Sequence, residues 1–377
     1  MIRKQQPERA SWRSAVESQG LIYHTPDGQR YWDESVFYEF TAKEVDALEA
    51  ATNELWNMWL AAIQRVIDQN RFAELRIPAA AVPLIISAWN QEPPALHGRF
   101  DLAYDGKGAI KALEFNADTP TALLEASIIQ WYWLQDTHKN CDQFNSIHEK
   151  LLAKFTELVN YIDGSPLYFT HAADTEDMMT VTYLRDLAQQ SGYKTEALTV
   201  AEIGWNGECF VDLAGNRIHS IYKLYPWEWL LGEAFAQHLI DTHSAMQWIE
   251  PIWKMVASNK GILAILWELF PQHPLLLEAH IDNPGLMVDY IRKPLYSREG
   301  ANVTLVGSSG PRVNTPGNYG DGAFVYQAAA HIPAFEGNYP VVGSWYVIDQ
   351  GACGMGIRES DGPITTNLSR FVPHLFR

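Results

Sequence analysis

Cysteine is scarce: 377 residues contain three, Cys141, Cys209 and Cys353. They are odd in number and far apart, which excludes a disulfide framework and offers no zinc-ligand spacing. Each suits the role of a small apolar side chain better than that of a nucleophile. Long apolar runs are missing too. The longest, Ile77 to Trp89, contains Pro78 and Pro83 and falls short of the roughly 20 residues a membrane span needs. The polar N-terminal stretch has no apolar signal core, so the expectation is a cytoplasmic protein without a membrane partner. Positive charge is also in deficit, with 28 Lys and Arg against 45 Asp and Glu and a net charge of −17. Such a field repels phosphate backbones and excludes a general nucleic-acid binder, while it attracts cations such as Mg²⁺. The hydrolase and nucleotide signatures GxSxG, HExxH, GxxxxGK[ST] and strand-bound GxGxxG are all absent.

What is present describes a compact enzyme-sized chain, with 47% apolar and 19% charged residues. Thr41-Ala-Lys-Glu44 is a capping box, and apolar residues recur behind it at helical spacing as far as Asn70. Leu123 to Leu134 and Ile147 to Ile162 also read as helices. Tyr168-Phe169 followed by Met178 to Gln190 predicts a strand feeding a helix, an α/β texture over 163–225. Ser258 or Asn259 can cap a helix that Pro271 stops. Beyond it, short β-rich runs at Leu286–Arg292, Val303–Val306, Ala323–Ala328 and Gly343–Ile348 predict antiparallel sheet.

The chemistry concentrates in Arg99 to Asn116, two alternating runs joined by Asp105-Gly-Lys-Gly108 and read as a β-hairpin. Side chains alternate between faces, so Arg99 and Asp101 share one face of the first strand, and Glu114 and Asn116 one face of the second. A loop over 106–109 sets Asp101 opposite Glu114 and Arg99 opposite Asn116. Facing carboxylates repel each other unless a cation lies between them, and hard oxygen ligands of this kind suit Mg²⁺. A solvated outer face is the equal alternative. Lys260, predicted in the first turn of its helix, either answers a bound phosphate or extends into water. Ser297 to Asn302 reads as a glycine-containing flap between two strands.

Together these segments resemble the synthetase domain of the glutathionylspermidine synthetase family. The motifs, in family order, are Arg99-Phe-Asp101 through Glu114-Phe-Asn116-Ala-Asp118, Ser258-Asn-Lys260, Ile291-Arg-Lys293-Pro, Arg298-Glu-Gly300-Ala-Asn302, Tyr326-Gln327 and Gly356-Ile-Arg358. The resemblance implies an α+β ATP-grasp fold over 12–377, with antiparallel sheets and flanking helices, a substrate region at 163–225 and a nucleotide-binding lid at 258–330. It implies Mg²⁺ on Asp101, Glu114 and Asn116, and ATP on Arg99, Asp101, Lys260, Lys293, Gly300, Gln327 and Arg358, with Arg99 and Arg358 catalytic. Glu176, Asp177 and Lys223 fall where the family handles its acid substrate. The implied activity joins an acid, a peptide acid such as glutathione among the candidates, to an amine through an acyl phosphate. The alternative is an ATP-binding protein that has lost ligation and acts through a partner. No cysteine precedes the hairpin, so amidase activity is not expected, and Thr119-Pro-Thr121-Ala122 departs from the Ser and Cys of the family's glutathionylspermidine makers.

Overall fold

The computed structural model describes residues 1–308, 310–319, 322–367 and 369–377. The capping box forms as expected: Thr41 Oγ1 accepts from the Glu44 amide at 3.3 Å and Glu44 accepts from the Thr41 amide at 2.8 Å. The helix it starts, Ala42–Asp68, is the longest in the fold. Its buried Trp56 and Trp59 pack edge-on against Phe115, and Trp59 also against Phe100. Those two phenylalanines stack 4.0 Å apart on the inner face of the hairpin His97–Tyr104 and Ile110–Asn116. Alternation therefore turns Arg99, Asp101, Glu114 and Asn116 to the opposite face.

The hairpin is one edge of a five-stranded antiparallel sheet completed by Tyr339–Val347, Gly351–Ser360 and Arg370–Val372. A second antiparallel sheet of five strands runs in the order Ala279–Ile281, Phe324–Ala328, Tyr290–Pro294, Thr304–Gly307, Gly310–Asn314. Both agree with the antiparallel texture of the C-terminal third. The third principal sheet is parallel, in keeping with the strand-then-helix texture read around Tyr168 and Met178, and adds to the antiparallel sheets that the family resemblance implies. Its order is Gln247–Ile249, Ser220–Leu224, Leu167–His171, Thr195–Thr199, and every pair is parallel. The helix Thr175–Gln190, capped by Asp174, supplies one crossover, as parallel pairing requires. A small mixed sheet joins Ile2–Gln5, Val36–Phe40 and His374–Phe376. No helix among the described residues is long and apolar enough to cross a membrane.

Three local expectations need correction. Leu123 to Leu134 is not one regular helix: a π-helical turn at Glu125–Ile129 precedes the α-helix Gln130–Thr137. Lys260 is not in the first helical turn, because the helix begins at Ile262. The Asn259 side chain accepts from the Gly261 amide at 2.8 Å and makes Lys260 part of the turn before it. Ser258 is not a cap either, since its hydroxyl accepts from the Ala117 and Asp118 amides at 3.1 and 3.0 Å. That contact ties the exit of the hairpin to the Lys260 turn.

Candidate active site

The expected register holds at the site, with Asp101 opposite Glu114 and Arg99 opposite Asn116. The route to it differs. The loop pairs Tyr104 with Ile110, one residue away from the 106–109 expectation, and a bulge that leaves Leu113 unpaired restores the frame before Glu114. A bulge also frees backbone carbonyls. Lys293 Nζ donates to Leu113 O at 3.0 Å and to Gln327 Oε1 at 2.9 Å, while Gln327 Nε2 donates to Ala112 O at 3.0 Å. The second sheet is thus docked on the first through the two lysine and glutamine positions that the motifs singled out.

The repulsion expected between the facing carboxylates is met by the protein itself. Arg99 Nε lies 2.7 Å from Asp101 Oδ1, and Lys260 Nζ lies 3.3 Å from Glu114 Oε2. Arg99 also donates to Thr121 O at 2.6 Å, and Asn116 Nδ2 to Asp101 Oδ2 at 3.1 Å. Burial pushes the Glu114 carboxyl up, but the Lys260 and Lys293 ammonium groups outweigh it and hold it below the usual carboxylate range. Burial pushes Lys293 down to about 8, with Glu114 acting against the shift. The two facing carboxyl groups thus stand among three basic side chains, Arg99, Lys260 and Lys293.

Asp101 and Glu114 stand where two cavities meet. One, of about 210 Å³, is lined by Lys260, Lys293 and Gln327 and by apolar groups including Ile291, Leu305, Ile332 and Val341. The other, of about 300 Å³, is polar and is bordered by Arg99, Asn116, Glu176, Asp177, Arg298 and Arg358. Gly300 and Thr365 are also common to both. Arg358 reaches this face because it pairs with Val341, two residues from Gly343, which pairs with Asp101. A Cβ on Gly343 would lie 2.9 Å from Arg99 Cδ, so only glycine leaves room for the guanidinium here.

Lys223 is the one proposed substrate residue that lines neither cavity. Its buried ammonium pairs with Asp118 at 2.5 Å, donates to Tyr225 O at 2.9 Å and lies over the Trp227 ring at 4.7 Å, an internal ion pair that ties the lysine to Asp118 and not to either cavity. Glu176 and Asp177 do border the cleft. Burial and the Asp174 and Glu176 carboxylates push Asp177 up to about 7, and burial with Glu176 pushes Glu299 up as well. Such an edge favours a cationic group over an incoming carboxylate.

Sequence reasoning passed over several neighbours. Arg298 donates to Thr119 Oγ1 and lies over the Trp229 ring at 5.4 Å. Glu125 is buried, accepts from Tyr31 OH at 2.7 Å, and is pushed up to about 7 by burial and by Glu176. Arg358 lies over the Tyr31 ring at 5.3 Å. Arg298 was visible as part of its motif, but Tyr31 and Glu125 carry no local pattern and converge only through the fold. The flap between Tyr290–Pro294 and Thr304–Gly307 is held by Thr315 Oγ1 on Gly300 O. Gly300 has φ +68°, and a Cβ there would collide with Thr365 O. Gly300→Val is therefore expected to displace the flap and to reduce product formation more than nucleotide binding. Comparing the two in parallel assays checks this, and normal turnover would make the loop a mere surface turn.

Two antiparallel sheets enclosing a cavity lined by cations and carboxylates, beside a parallel-sheet region that borders a second cleft, define an α+β protein. The chain belongs to the glutathionylspermidine synthase family: the model of the glutathionylspermidine synthase preATP-grasp region matches residues 3–377. It is 41% identical to a putative acid–amine ligase of Haemophilus influenzae over 98% of both chains. It is 27% identical to trypanothione synthetase of Crithidia fasciculata over 83% of this chain and 52% of that one. It is 26% identical to the bifunctional glutathionylspermidine synthetase/amidase of Escherichia coli over 80% of this chain and 53% of that one. The chain thus matches about half the length of the latter two relatives.

Proposed function

We propose that the protein is an ATP-dependent acid–amine ligase of ATP-grasp type, with 258–330 serving as the lid over the nucleotide and 163–225 as the substrate region. The observation that carries this reading is the position of Asp101 and Glu114 at the junction of the two cavities. A nucleotide with its base among Ile291, Leu305 and Ile332 directs its phosphates toward Lys260, Lys293 and the carboxylates. The oxygens of Asp101, Glu114 and Asn116 fit a hard divalent cation, and Mg²⁺ bound there neutralises charge on the phosphates. Arg99 and Arg358 then face the transferring phosphoryl group and the acid from the polar side. A substrate carboxylate oxygen attacks the γ-phosphorus as the bond to ADP breaks. The amine nitrogen next attacks the acyl carbon, phosphate leaves, and a proton is lost from the nitrogen. Fixed cations stabilise such transfer, and the Gly300 flap excludes water that would otherwise hydrolyse the acyl phosphate.

The acidic edge at Glu176 and Asp177 suits an ammonium group, so the amine is assigned there and the acid to the arginine side. Thr119 and Thr121 border the cleft in the stretch that departs from the family's glutathionylspermidine makers, so the acid need not be glutathione. The test is ADP release against a matrix of peptide acids and amines. ADP and amide appearing together, only when both partners are supplied, is the expected result. ADP without amide would favour a nucleotide-binding protein that has lost ligation.

Lys260→Met and Lys293→Met are each expected to weaken ATP binding about ten- to a hundredfold, the worth of a charge-assisted contact of roughly 1.5–3 kcal/mol. Calorimetric titration giving unchanged affinity for both would move the phosphates elsewhere.

A further inference from the structure

A third cavity, of about 310 Å³, adjoins the polar cleft and shares Ala172 and Tyr225 with it. Its size lies at the lower end of the range of small-ligand sites, about 300–1,000 Å³. The wall is apolar, formed by Phe210, Leu230, Leu239 and Trp248 among others, with Phe235 exposed at the rim. Glu233 is the one charged group among its described lining residues, and its carboxylate accepts from Tyr225 OH at 2.5 Å. The Thr199 hydroxyl is engaged too, donating to Glu202 at 3.0 Å. Solvent-facing apolar surface of this kind, where the hydroxyls and the carboxylate already have partners and the unpartnered Trp248 Nε1 is buried away from solvent, selects an apolar occupant.

Topology independently marks the place. From Leu167–His171 the chain steps outward to Thr195–Thr199, then returns across the first strand to lay down Ser220–Leu224. The strand order reverses beside Leu167–His171, and in open parallel sheets ligands bind in the crevice beyond the carboxyl ends at such a reversal. Ala172 and Tyr225 directly follow the two strands that flank it. The same crevice carries Asp174, Glu176 and Asp177 on the cleft side.

We propose that this cavity holds the apolar tail of the amine substrate while its ammonium end lies against the acidic edge of the cleft. The substrate class is then a primary amine bearing an aliphatic or aromatic group, not a polyamine. A second ammonium group in this cavity would leave water for an apolar wall whose single carboxylate, Glu233, is exposed to solvent and returns only a screened, weak ion pair. The assignment of the amine to ligation rests on the proposed function above, but its binding does not.

The test is calorimetric titration of the full chain, in the presence of Mg²⁺ and a non-hydrolysable ATP analogue, with n-hexylamine and with 1,6-diaminohexane. These probes have the same length and differ in the charge at the far end. Hexylamine is expected to bind at least tenfold more tightly than the diamine, with a negative heat-capacity change that marks apolar burial. Ala201, exposed at the rim, is outside the catalytic groups. Ala201→Trp should obstruct the mouth and reduce hexylamine affinity at least tenfold while nucleotide affinity stays unchanged. Equal or tighter binding of the diamine, no hexylamine binding, or an indifferent Ala201→Trp variant would each overturn the inference. Hexylamine binding that Ala201→Trp abolishes, without amide formation from any acid, would uphold the subsite and instead defeat the ligase reading.

Discussion

Asp101→Asn and Glu114→Gln are each expected to reduce ATP turnover by ~10²- to 10³-fold or more, the scale of removing one group aimed at a transferring charge. Their stabilities should differ. Asn at 101 still accepts a hydrogen bond from Arg99, which keeps its contact with Thr121 O and still faces Glu114, so its fall in thermal stability should be the smaller of the two. Gln at 114 leaves Lys260 and Lys293 without the carboxylate that faces them. Glu114 keeps a quarter of its side chain exposed, and solvent screening limits the cost to roughly 1–3 kcal/mol. A phosphate supplies the missing counter-charge, so ATP should raise the Tm of Glu114→Gln more than that of the wild type. Scanning calorimetry with and without nucleotide, beside an ADP-release assay, checks both halves. Wild-type turnover in either variant would remove that carboxylate from the chemistry.

The same residues show how much of the site is legible in one sequence. Alternation alone puts Arg99, Asp101, Glu114 and Asn116 on one face, and the side-chain period of two makes that reading insensitive to the details of the turn. The loop is less legible: the bulge at Leu113 has no glycine or proline to announce it, yet it decides which carbonyls receive Lys293 and Gln327. Repulsion between Asp101 and Glu114 is a correct local inference with an incomplete environment, since Lys260 arrives from 146 positions further along the chain. The parallel sheet is half legible. Its strand-then-helix rhythm is visible around Tyr168 and Met178, but pairing directions are set by long-range closure. Lys223 shows the limit most plainly, because a lysine in a β-run looks the same whether it faces a ligand or a buried aspartate.

A buried charge network explains why the hairpin stands where it does, and it carries the second large effect. Glu250 is fully buried, accepts from the Leu96 and His97 amides at 3.1 Å, and pairs with the equally buried Lys254, which donates to His97 O at 2.7 Å. Leu96 and His97 lead into the strand carrying Arg99 and Asp101, so the network fixes that strand against the end of the parallel sheet. Removing one partner of a buried pair leaves an uncompensated charge. Glu250→Ala is therefore expected to lose about 3–5 kcal/mol, read as a large fall in urea midpoint. The double variant Glu250→Gln/Lys254→Met, with neither charge, should recover much of that loss. Burial pushes Glu250 up, but Lys254 and His97 prevail and hold it at about 2. A carboxyl depressed on folding contributes stability above its ordinary value and loses it as pH falls toward the folded one. The wild type should accordingly lose stability more steeply than the double variant between pH 4.5 and 2. Parallel slopes for the two proteins across that window would show that Glu250 does not hold its charge in the folded state.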